Sequence, residues 1–111
     1  MKIRILVPMI AALMMPAMVL AAGKGDAKAG HAVFKAHCQM CHGPEGHGNE
    51  ALAKMMKTTI PDLGSKQVQA LSDAQMREVI EKGKNKMTPV KGLTAAQIDD
   101  VIAFVRTLAK K

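Results

Sequence analysis

Five consecutive residues, Cys38-Gln39-Met40-Cys41-His42, constrain this chain more than any other stretch. In a helix, Cys38, Cys41 and His42 stand at i, i+3 and i+4, so two thiols and an imidazole share one face. C-x-x-C-H is the attachment signature of c-type haem. The chemistry explains the spacing. Two sulfurs must reach the two vinyl groups of one porphyrin, and the adjacent imidazole must point at the iron.

Three other uses of the same residues are weaker. A redox dithiol also reads C-x-x-C, but it belongs in a βαβ context, and no strand pattern flanks this motif. A zinc site could recruit His37 or His47, yet zinc ligand pairs are spaced more widely than Cys41-His42, and there is no second C-x-x-C. A disulfide would close a tiny loop and leave His42 without a purpose.

Of 111 residues, the first 21 read as a cleaved secretory signal peptide. Lys2 and Arg4 form a basic start. Ile5 to Ala22 is an uncharged run of 18 residues, and Val19 and Ala21 suit the −3 and −1 positions of a cleavage site. An uncleaved anchor is the competing reading. It is disfavoured because the run is short for a bilayer span and contains Pro8 and Pro16. The expected mature domain is therefore residues 22–111, in the periplasm, with no stable membrane insertion. Cleavage removes Lys2 and Arg4 and lowers the formal charge from +7 to +5. Phe34 and Phe104 are the only aromatic residues. So small a domain is marginal on its own core, and a covalently held porphyrin would act as a staple.

The rest of the chain reads as helix and loop. Asp26 can cap a helix running from Ala27 into the motif, with Gly30 permitting close approach of another helix and Phe34 on the same face. Gly43 to Asn49 is a loop, Glu50 to Lys57 a short helix, and Thr58 to Gly64 extended or turning around Pro61. Ser72-Asp73-Ala74-Gln75 and Thr94-Ala95-Ala96-Gln97 are capping boxes. Leu71 can staple onto Met76, and Leu93 onto Ile98. The first of these helices ends at about Lys82 before Gly83, with Met76, Val79 and Ile80 inward. The second carries the stripe Ile98, Val101, Ile102, Val105 and Leu108, with Phe104 at its edge. The fold class is all-α, with three main helices and one short one.

The loop Lys84 to Gly92 contains one large apolar side chain without an obvious local partner, Met87. Its thioether is a candidate for the second axial position opposite His42, and His/Met ligation raises the reduction potential. The plain alternative is a methionine filling space beneath the loop. Met76 sits at a staple position and Met40 lies on the His42 side. Met55 and Met56 lie in the short helix. His31, His37 and His47 are tethered too close to His42 to cross the ring.

On these residues the chain resembles the small bacterial class I cytochromes c. The resemblance rests on Gly30-x-x-x-Phe34-x-x-x-Cys38, C-x-x-C-H-G ending at Gly43, Ile60-Pro61-Asp62-Leu63, Gly83 before the Met87 loop, and the apolar last helix. It covers nearly all of residues 26–109. It implies one haem c bound through Cys38 and Cys41, with His42 and Met87 on the iron. It also implies a crossing of the first and last helices near Gly30, Phe34 and Phe104, and a proline carbonyl, here Pro61, accepting the outer imidazole proton. Two positions depart from the family pattern: Thr88 separates Met87 from Pro89, and Phe104 replaces a Tyr or Trp.

The function implied is electron carriage without catalysis, by a monomer. The alternative is a cytochrome with an open sixth position that binds small ligands or peroxide. By the same resemblance, Lys82, Lys84, Lys86 and Lys91 border the haem edge. There they would steer the protein onto an acidic patch of a redox partner, although they could equally serve solubility alone. Nucleic acid is not an expected partner, because the basic residues lack aromatic interleaving and the chain is exported.

Overall fold

A computed structural model of the chain describes residues 2–4 and 25–110. The apolar run Ile5 to Ala22 and its cleavage site, read above as a signal peptide, lie outside the described residues. Six helices follow in order: α1 Ala27–His37, α2 Gln39–His42, α3 Glu50–Met55, α4 Lys66–Gln69, α5 Asp73–Lys82 and α6 Ala95–Thr107. No strand occurs among the described residues, and the all-α expectation is met.

Side chains set most of the helix starts. The Lys28 N–H donates to Asp26 at 2.9 Å, and Asn49 and Ser65 accept from Leu52 and Val68. Both capping boxes form in full: Ser72 and Gln75 exchange hydrogen bonds at the start of α5, and Thr94 and Gln97 at the start of α6. Each satisfies two N–H groups that the first helical turn leaves without a partner.

The helices differ from the expected ones at two places. The first helix does not continue smoothly into the motif. Cys38 adopts φ −120°, ψ −33°, and α2 restarts at Gln39. A further short helix, α4, forms because Ser65 caps it and α6 supplies its partners. Gln69 Nε2 donates to the Leu63 carbonyl at 2.8 Å and to the Val105 carbonyl at 2.9 Å. There are thus three short helices rather than one.

α6 organises the packing, because both α1 and α5 lie against it. A Cβ on Gly30 would fall on the Asp100 carbonyl, so only glycine permits this approach of α1. Phe34 is fully buried, with its ring centroid 5.0 Å from that of Phe104. His31 stacks on Phe104 at 4.6 Å. On the α5 side, Met76, Ile98 and Ile102 form a buried cluster flanked by Val68, Leu71, Ile80, Leu93 and Val105. Both staple pairs expected from the sequence therefore lie in one apolar cluster. Val101 is buried as expected, and Ala103, outside the stripe, is buried too.

Candidate functional site

The motif occupies α2 and the residue before it. Intervals of three and four residues within one helical turn place Cys38, Cys41 and His42 together. The His42 N–H closes the turn onto the Cys38 carbonyl at 3.0 Å. Both cysteines are free and half-buried. Burial, reinforced by the neighbouring Cys41, pushes the Cys38 thiol up to about 11. Burial also lowers the pKa of His42, which favours neutral imidazole, the form that binds iron.

The loop after α2 completes the helix. A helix end leaves carbonyls without partners, and here each finds one. The Met40 carbonyl accepts from Asn49 Nδ2 at 3.2 Å, the Cys41 carbonyl from the Asn49 N–H at 2.8 Å, and the His42 carbonyl from the Gly48 N–H at 2.7 Å. The loop is itself tied down. The Leu63 N–H donates to the Gly46 carbonyl at 2.8 Å, and a Cβ on Gly46 would crowd Leu63 and Leu108. His47 lies between Asp62 (3.1 Å) and Glu45 (3.2 Å), so the first histidine after the motif is engaged elsewhere.

The donor set fits a covalently held porphyrin: two unpaired thiols and an imidazole on one turn. His42 Nδ1 is buried without a hydrogen-bond partner among the described residues, so the Pro61 carbonyl does not accept from it as expected.

Met87 stands on a different element. It is half-buried and paired with Lys84 in a minimal antiparallel turn directly after α5. The motif and Met87 share a common support rather than a direct bond. α1 leads into the motif, α5 leads into the Met87 turn, and both pack on α6. This turn was not anticipated from the sequence, where residues 84–92 read as an undivided loop. The asparagine at 85 is the signal that could have revealed it.

Comparison with known proteins agrees with this geometry. The family model for cytochrome c oxidase, cbb3-type, subunit III matches residues 25–105. A solved structure described as KustC0563 c-type cytochrome is 27% identical, with a TM-score of 0.63, over 73% of this chain and 98% of that one. A chain of the Kuenenia stuttgartiensis reducing HAO-like protein complex Kustc0457/Kustc0458 is 22% identical, with a TM-score of 0.62, over 76% of this chain and 43% of its own. The second likeness is one of fold alone. No curated protein matches the sequence.

Proposed function

Because the chain belongs to the cytochrome c oxidase, cbb3-type, subunit III family and has the fold of a small c-type cytochrome, we propose that residues 22–111 are an exported, monomeric single-electron carrier. Membership implies covalently bound haem c, electron transfer and redox partner proteins. The finer reading assigns one haem to this domain, and Cys38 and Cys41 would hold it by thioethers. His42 and Met87 would hold the iron. The haem, when bound, supplies the ferric/ferrous couple.

The chain's own residues do the rest. The α2 turn groups the two sulfurs and the imidazole, and partial burial lowers the His42 pKa, which favours the neutral ring. The Gly46, Gly48 and Asn49 backbone bonds hold the turn in place. The observation that carries the reading is this one turn, with two free thiols and a half-buried imidazole secured from behind. With His42 and Met87 both holding the iron, the protein would carry electrons without catalysing a reaction. Periplasmic residence rests on the sequence of the first 21 residues. Among the described residues, no helix is long and apolar enough to cross a membrane.

The deciding experiment is visible absorption of the purified protein, ferric and ferrous, beside Met87→Ala. Low-spin haem bands with a far-red iron–sulfur band, lost only in the variant, are the expected result. Carbon monoxide binding to the reduced parent at neutral pH would instead indicate a small-ligand cytochrome with an open sixth position. Colourless protein would remove the haem reading altogether.

A further inference from the structure

We infer that Asn85 is a positioning residue for Met87: its left-handed backbone makes the two-residue turn that presents the methionine. The inference rests on the reading of Met87 as axial ligand. Lys84 and Met87 face each other as a hydrogen-bonded pair. The Lys84 N–H donates to the Met87 carbonyl at 2.9 Å, and the Met87 N–H returns a bond of 2.9 Å to the Lys84 carbonyl. Only Asn85 and Lys86 lie between them. Two-residue turns of this kind need positive φ at the first central residue, and Asn85 has φ 54°. After glycine, asparagine is among the residues that adopt this conformation most readily.

The rest of the turn is pinned to α5. Gly83, at φ 77°, has no side chain where the Met87 carbonyl and the Pro89 ring lie. The Val90 N–H donates to the Ile80 carbonyl at 2.8 Å. The backbone of Met87 is therefore fixed on both sides. A methionine side chain has three rotatable bonds and does not hold its sulfur in place unaided. Asn85 itself is exposed. Were it an ordinary surface residue, its replacement would leave the iron's surroundings unchanged.

The test uses the haem-loaded protein with Asn85→Val, Asn85→Ala, Asn85→Gly and Met87→Ala. It reads the far-red band, the reduction potential and the affinity of the ferric protein for added imidazole. A β-branched residue at this φ strains the closed turn, so imidazole should bind Asn85→Val about tenfold more tightly than the parent. Asn85→Ala should show a smaller effect of the same sign, which preserves the comparison should the valine variant not fold. Asn85→Gly should match the parent in all three readouts. Parent-like imidazole affinity in the valine and alanine variants, with the band lost in Met87→Ala, would overturn the role of Asn85 and leave the ligand reading standing. An Asn85→Gly variant as weak as the valine one would also overturn it. A band that survives Met87→Ala would overturn the ligand reading and this inference together.

Discussion

Gly30 of α1 and Asp100 of α6 touch through their backbones: the position of a Gly30 Cβ coincides with the Asp100 carbonyl. Two effects of Gly30→Ala oppose each other. Alanine improves the intrinsic stability of α1 by about 1 kcal/mol. Against that, the methyl group meets backbone, which cannot rotate away, and forced overpacking costs about 1–3 kcal/mol at ordinary sites. The clash should win, with a net loss of up to about 2 kcal/mol and a melting temperature lower by up to about 10 °C. Thermal unfolding followed by circular dichroism checks this, and an unchanged or raised melting point would mean that α1 and α6 are free to part.

Asp62 joins three parts of the chain. Its carboxylate receives Lys110 Nζ at 2.6 Å, the Gly64 N–H at 2.8 Å and His47 Nδ1 at 3.1 Å. The Lys110 bond, then the Gly64 and His47 bonds, hold its pKa well below the usual carboxylate range. A folded-state pKa below the unfolded value contributes stability above the unfolded pKa, near 4, that fades as pH falls towards the folded one. Asp62→Asn should therefore be less stable than the parent at pH 7. The two should converge as pH drops from about 5 towards 2. Denaturant midpoints taken across that range decide it. Parallel curves at every pH would show that the network contributes nothing through charge.

Arg106 holds the chain between α4 and α5 against α6. Nη1 donates to the Gln69 carbonyl at 2.7 Å, Nη2 to the Leu71 carbonyl at 2.6 Å, and Nη2 and Nε to Asp73 at 2.7 and 3.2 Å. Its side chain is only 23% exposed. Removing the guanidinium strands two carbonyls and a carboxylate, so Arg106→Ala should cost about 2–3 kcal/mol. Lysine has one donor centre and cannot reproduce the fork, so Arg106→Lys should recover less than half of that loss. Guanidinium denaturation of both variants supplies the comparison.

What could be read from the sequence was what is local. Ser72/Gln75 and Thr94/Gln97 each form a complete signal within four residues, and both helices begin where those signals place them. The inward faces of α5 and α6 follow from apolar spacing, which put Met76, Ile98, Val101 and Ile102 in the core. The motif likewise contains its own geometry. The rest depends on distant partners. Arg106 meets Gln69 and Leu71 across more than thirty residues, Lys110 meets Asp62 across more than forty, and nothing at either end announces the other. α4 has a single apolar residue, Val68, and forms through its cap and its contacts with α6. The Lys84–Met87 turn carries only a weak local signal, because Asn85-Lys86 lacks the glycine that usually marks such a turn.

The lysines beside this turn yield a prediction that needs no knowledge of the natural partner. Lys82, Lys84, Lys86 and Lys91 are all exposed. Lys82 lies 3.7 Å from Glu78, so part of its charge is offset locally. Lys84 and Lys86 flank Asn85 on the turn itself. If this side borders the haem edge, an anionic small-molecule oxidant such as ferricyanide should be drawn to it, and its rate should fall as salt shortens the Debye length from about 30 Å at 0.01 M to about 8 Å at 0.15 M. The double change Lys84→Glu, Lys86→Glu should slow the reaction about tenfold at low salt and flatten or reverse its salt dependence. A cationic oxidant should respond in the opposite sense, which separates steering from damage to the haem site. Equal rates for parent and variant with both reagents would reduce this lysine cluster to a solvated loop.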